Sequence, residues 1–340
     1  MFNCATGFIA IVFIGEFAAL VEWLSARLGV INDTMKLSIF HSLFNITGLA
    51  LMLPLAGTLE TFLSNHFRAP ARAVKQPKYL NNAARKFPDA AIEAVHNETV
   101  RLSEIAVKII AHAMCLHRDD VYSTRDLAEV VRMSRKIIRE DINEKYALNV
   151  KALYGSIVEF ISDVTAAASS TQVERLHRQR TAGAKIVEAV KAIKHLQKNL
   201  LAQMASPNPV VRDQYDAIRL LVARTLRAVD AMKNAASDDV TILTYDEARL
   251  ALARADIVAD GTLDRLIRAR SINATVATSL MNDNGYAYRA CDNLLGAAQV
   301  LFIQGQAATP GAEATLTLDE DEIATMAGRG GGSPSPDRSS

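Results

Sequence analysis

LSIFHSLFNITGLALMLPLAGTL, residues 37–59, runs for 23 residues without a formally charged side chain, a protonated His41 aside. A chain that is 22% charged seldom leaves a window of this length uncharged. At about 1.5 Å per residue, a helix over it would cover the roughly 30 Å hydrocarbon core of a bilayer. Lys36 bounds it on one side, and Glu60, His66, Arg68 and Arg72 bound it on the other. Pro54 is tolerated in a membrane helix, where neighbouring groups satisfy the freed backbone. The window therefore predicts a transmembrane helix. The alternative is a helix buried in a protein core.

Working outward, residues 2–24 (FNCATGFIAIVFIGEFAALVEWL) make a second candidate span. Glu16 lies inside it and Glu22 near its end, and a carboxylate at membrane depth costs several kcal/mol unless it faces protein or water. A snorkelling, interfacial or re-entrant segment is the competing reading. Residues 25–36 form a short connection with Gly29 and an Asn32–Asp33 turn signal. Beyond the second span, Arg68, Arg72, Lys75 and Lys78 outnumber the two basic residues of the connection, Arg27 and Lys36. The positive-inside rule then places everything from about residue 70 onward in the cytoplasm, with a hairpin in the cell (inner) membrane. Cys4, Cys115 and Cys291 are too dispersed for a disulfide framework or a paired-cysteine metal motif.

From residue 89 the pattern becomes that of amphipathic helices. Ala91, Val95, Leu102, Ile105, Ile109, Ala113 and Leu116 recur at three- and four-residue steps, with Glu93, Glu98, Arg101, Glu104 and Lys108 read as the solvated face. Ser123 and Asp126 suggest a start for a second helix carrying Leu127, Val130, Ile137, Ile138 and Tyr146. Residues 173–204 and 211–235 carry strong stripes, and residues 206–209 (SPNP) part them. Residues 245–304 are too long for one ordinary helix, so breaks are expected at Asp260–Gly261 and between Asn282 and Gly285. No useful β-alternation intervenes, which predicts long antiparallel helices packed on one another. Residues 306–340 hold six acids and two bases and few bulky apolar groups, the composition of a disordered tail, with one transient helix expected near residues 318–326. The expected organisation is a membrane hairpin over 1–66, a basic linker over 67–88, a helical domain over 89–305 and the tail over 306–340.

Chemistry is sparse. No phosphate-binding glycine loop, zinc-protease motif or nucleophile elbow occurs, so no enzyme activity and no cofactor are expected. Near-neutral charge without aromatic interleaving gives no nucleic-acid footprint. Metal candidates are the acid pairs Glu140 with Glu144 and Asp256 with Asp260, each four apart and so on one helical face, with Glu93 as a third contributor. An exposed solvated face explains such pairs equally well. His112 and His117 would point about 140° apart on a continuous helix.

The run His41-Ser42-Leu43-Phe44-Asn45, continuing into an apolar helix, resembles the His-x-x-Phe-Asn span of bacterial sodium/phosphate cotransporter proteins. The following basic linker and helical region resemble, in order, the PhoU-like domain of that family, with Asn273, Thr278, Ser279, Asn282 and Asn284 in its late helical part. The resemblance implies an all-α protein: a transmembrane hairpin, a PhoU-like long-helix bundle and a disordered tail. It implies sodium/phosphate symport, with sodium as coupling ion, phosphate as substrate and the lipid bilayer as partner. Glu16, His41, Asn45 and Thr47 would be the membrane-interior polar residues. The family's Gln-Ser-Ser elements are missing, and Asn3, Thr6 and Gly7 are the only candidate remnants of the stretch before the last spans. An incomplete transporter is therefore expected, completed by a missing N-terminal repeat or by homo-oligomerisation. The alternative is a tethered PhoU-like regulator or adaptor without transport activity of its own.

Overall fold

A computed structural model describes residues 11–29, 32–66, 74–166, 168–303, 322, 323 and 326. The chain divides into two compact units, Met1–Arg72 and Ala73–Ser340. Asn3, Thr6, Gly7, Cys4, Arg68 and Arg72, with most of the region read as a tail, lie outside the described residues.

In the first unit, α1 (Ile14–Arg27) and α2 (Asp33–His66) lie side by side. Gly29 ends the first with a φ of +67°, open to glycine without steric cost. The Asn32 side chain then accepts from the Thr34 N–H at 2.9 Å and starts the second helix. Phe17 and Phe40 meet edge to face with centroids 6.0 Å apart, and Lys36 Nζ donates to both Glu22 oxygens at 3.0 and 3.1 Å.

The expected transmembrane hairpin is not found. Among the described residues, no helix is long and apolar enough to cross a membrane. Of the span expected at 2–24, residues 2–10 lie outside the described residues, and α1 carries exposed Glu16 and Glu22. α2 has the length, at 34 residues, but its described side chains do not make up an apolar stretch long enough for a crossing. Ser38 donates to the Thr34 carbonyl of its own helix, whereas the imidazole of His41 and the carboxamide of Asn45 are exposed and ask for hydrogen-bond partners that lipid does not offer.

Every regular element among the described residues is helical. In the second unit these are α3 (Pro88–Ala113), α4 (Arg118–Tyr122), α5 (Leu127–Met133), α6 (Ile142–Lys145), α7 (Ala152–Thr165), α8 (Ser170–Met204), α9 (Pro209–Lys233), α10 (Asp238–Arg254), α11 (Thr262–Arg268) and α12 (Ala274–Ala298). α8 is the spine, packing against α3, α7 and α12, while α9 packs on α12 and α10. Its inward face buries Leu176, Ala182, Ile186, Val190, Ile193, Leu196, Leu200 and Met204 at helical spacing. Each large aliphatic side chain withdrawn from water there stabilises the bundle by about 1.5–3 kcal/mol. Gly183 lets α7 approach, since a Cβ there would meet the Tyr154 ring at 2.8 Å.

Local chemistry sets the helix starts. Ser169 and Gln172 form a reciprocal capping box for α8, and Asn208 caps α9 ahead of Pro209. Ser237 caps α10 and Asn273 caps α12. A π-helical turn at Tyr146–Lys151 leaves the Leu148 carbonyl to accept from the Lys75 N–H at 3.0 Å, fastening the incoming chain to the bundle.

Two helix expectations need correction. The helix carrying Leu127 and Val130 starts from Asp126 and ends at Met133, so it never reaches Ile137 or Tyr146. Arg219 takes the Val131 and Ser134 carbonyls, which a continuing helix would have used itself. Conversely, α12 runs unbroken through residues 282–285. Tertiary partners of its buried Asp283, Tyr215 and Asn199, override the run's preference for a turn. The break falls instead at residues 269–273, and at Gly261, whose φ is +72°.

Candidate functional site

In the first unit, Glu16, His41 and Asn45 are exposed and Thr47 is half-buried. No hydrogen bond or ion pair joins any two of them among the described residues. They do not enclose an ion.

The acid pairs do not share a helical face. Glu140 precedes α6, whose cap is Asp141, while Glu144 lies inside it. Asp256 and Asp260 follow the end of α10 and organise the turn beyond it. Asp256 Oδ1 accepts from the Val258 and Ala259 N–H groups at 3.0 and 3.2 Å. Asp260 accepts from the Thr262 N–H at 2.7 Å and its hydroxyl at 2.9 Å. Glu93 is exposed on α3 and accepts from Asn97. Among the described residues, no group of three or more His, Cys, Asp and Glu side chains could hold a metal ion.

Chain reversal brings His112 and His117 together, with ring centroids 6.0 Å apart, because the helix ends and Cys115 turns back with a φ of 55°. Glu140 Oε2 lies 3.2 Å from His112 Nδ1, though without hydrogen-bond geometry.

The charged residues that matter most are ones the periodicity concealed. Glu98, assigned above to the solvated face, is fully buried. Its Oε2 accepts from the Lys78 and Tyr79 N–H groups at 2.7 Å each, and Arg101 pairs with its other oxygen. Arg219 is also fully buried and donates to the carbonyls of Met114 and Val131 at 2.9 Å, Ser134 at 2.6 Å and Cys115 at 3.4 Å, and to Asp216 at 3.0 Å. Desolvation pulls its pKa below the ordinary arginine value, while Asp216 opposes the shift. Asp283 accepts from the Tyr215 hydroxyl at 2.5 Å and from Asn199 at 3.4 Å. Burial pushes both the Asp283 carboxyl and the Tyr215 phenol up. The Cys291 thiol, buried and pushed up to about 12, is inert at neutral pH. A signal for two of these existed in the sequence. Arg219 interrupts the stripe of Tyr215, Ile218, Val222 and Leu226, and Glu98 falls between Val95 and Leu102.

On the surface, α10 exposes Val240, Leu243, Glu247 and Arg254, with half-buried Leu250 between the last two, at alternating three- and four-residue steps. Val240 is 48% exposed and Leu243 60%. This is the spacing of a coiled-coil seam. At its far end, Arg254 Nη2 donates to the Met326 carbonyl at 3.0 Å, and Ile323 nearby in sequence is buried.

No protein-family model, curated protein or solved structure matches this chain. The resemblance to sodium/phosphate cotransporters therefore has no support outside the quoted run. With no described helix able to cross a membrane, the expectations of symport, of bilayer, phosphate and sodium as partners, of completion by a missing repeat or another copy, and of placement in the inner membrane are withdrawn with it. What the fold defines is an all-helical bundle protein, consistent in architecture with a PhoU-like regulatory domain.

Proposed function

We infer that the second unit is a PhoU-like regulatory or adaptor module that acts by binding a partner protein, with neither transport nor catalysis of its own. The observation carrying this reading is the outward seam of α10. An amphipathic helix of a partner, laid along Val240 and Leu243, would bury apolar surface now exposed, while Glu247 sets its register. The use of the interior charges agrees with a binding role. Glu98 and Arg219 satisfy backbone groups, and Asp283 ties α12 to α9, so these residues hold shape and are not presented to a substrate.

The test is site-specific photo-crosslinking of the full chain in cells. A crosslinker at position 243 should give a discrete protein adduct that a crosslinker at Lys198, exposed on α8, does not give. Val240→Asp should suppress the adduct. Equal labelling at both positions, or no adduct at 243, would remove the seam as a docking face.

A further inference from the structure

α9, the end of α10, the turn at 256–262 and α12 enclose a hollow of about 330 Å³, and a second of about 410 Å³ opens on the other side of the 256–262 turn. Both lie within the size range of small-molecule sites. Asn284 borders both. It is only 5% exposed, yet no described residue pairs with its carboxamide. The Asn284 carboxamide is not sealed from solvent, so its acceptor and two donors are open to a ligand that enters the hollow.

The rest of the lining narrows the chemistry. Ile218, Leu221, Ile257 and Leu280 supply apolar walls to the smaller hollow. The acids beside it are committed elsewhere, since Asp260 uses both oxygens on Thr262 and Asp256 accepts from backbone amides of its own turn. The cations are not. Arg224 at the mouth has no acceptor among the described residues, and in the neighbouring hollow Arg289 stacks over Tyr286 at 4.8 Å with no carboxylate partner. The site thus offers an uncommitted guanidinium outside, an apolar passage and an unpaired carboxamide within.

We propose that this hollow is a binding site for a small amphipathic carboxylate, with its anionic head at Arg224, its apolar body between α9 and α12, and a hydroxyl or carbonyl at the far end paired with Asn284. On α10 the hollow is lined by Ala251 and Ala255 and not by the apolar seam residues Val240 and Leu243, so ligand binding and partner binding can be tested apart.

The experiment uses the full chain and two probes, decanoate and ω-hydroxydecanoate, each displacing anilinonaphthalene sulfonate in a fluorescence titration. Saturable displacement is expected, with the hydroxylated acid bound several-fold more tightly. Asn284→Leu should abolish that preference while leaving decanoate bound. Arg224→Gln should weaken both acids by about three- to tenfold. Ala217→Trp, which fills the hollow from an exposed wall position, should remove binding without altering the far-ultraviolet circular dichroism that reports folding. Failure of either acid to displace the dye, an unchanged preference in Asn284→Leu, or full binding by Ala217→Trp in a folded protein would each overturn the assignment.

Discussion

Replacing Arg219 by Met tests whether a buried cation whose partners are mainly backbone carbonyls can be exchanged for an apolar side chain. Exchanging a whole buried ion pair for apolar groups is often neutral, because both charges disappear together. Here that escape is closed. The carbonyls of Met114, Val131 and Ser134 stay where they are whatever occupies position 219, and so does the Asp216 carboxylate. A buried group left unsatisfied costs about 1–3 kcal/mol, and breaking a buried charged interaction from one side about 3–5 kcal/mol. Allowing for water entering beside Ser134 and for Arg135, which still reaches Asp216 at 3.1 Å, the expected loss is about 4–6 kcal/mol. That is a large share of the roughly 5–15 kcal/mol that holds a domain together. Urea unfolding followed by far-ultraviolet circular dichroism is the suitable assay, because the single tryptophan, Trp23, sits in the first unit and does not report on the bundle. Arg135→Ala is the matched control. It removes a more exposed partner of the same Asp216 and should cost less than about 1 kcal/mol. If Arg219→Met lost no more than that control, the carbonyls would be shown to rehydrate freely and the reasoning would fail.

Glu98→Gln should release the segment at 78–79, with amide exchange at Lys78 and Tyr79 accelerating and stability falling by about 1.5–3 kcal/mol, as a charge-assisted cap becomes a neutral one. Leu196→Asp should unfold much of the bundle, because it leaves an unpaired charge at a fully buried position of α8, and retention of the native dichroism would count against the spine. His96 is held below its ordinary value of 6.5 chiefly by burial, with Glu93 and the Gln179 contact opposing. Its folded state favours the neutral ring, so its contribution is complete above the unfolded value and is lost as pH falls through the folded one. His96→Gln should therefore flatten part of the decline in urea midpoint as pH falls below the ordinary histidine value of 6.5, and an identical slope in the variant would exclude His96 as a source. Asp283 has the opposite sign. Its carboxyl is raised by burial, so the proton-bound form is favoured on folding and its contribution fades as pH rises through the folded value. Asp283→Asn, which keeps an acceptor for Tyr215, should hold or raise stability at neutral pH, and a loss above about 2 kcal/mol would show that the charge itself stabilises the α9–α12 contact.

The sequence by itself determined the helical character of the second unit and most of its inner faces. Leu176 through Met204 repeat at a helical period, and SPNP at 206–209 forces the chain to turn, so both the stripe and its end are local properties. The membrane reading of residues 37–59 finds no support among the described residues, and it rested on charge alone. Counting formal charges ignores His41 and Asn45, whose hydrogen-bonding needs do not appear in a charge count. Only the tertiary structure decided the fate of Glu98 and Arg219, because a charge within an apolar stripe can be buried only if distant backbone groups arrive to meet it. For Arg219 those groups come from residues 114, 115, 131 and 134, about a hundred positions away, and no periodicity within α9 can encode them. The same holds for α12, where the polar run at 282–285 reads as a break until Tyr215 and Asn199 are seen to hold Asp283 inside the helix. Local pattern specifies which face of a helix is apolar; the partner that satisfies a polar group on that face is a property of the assembled bundle.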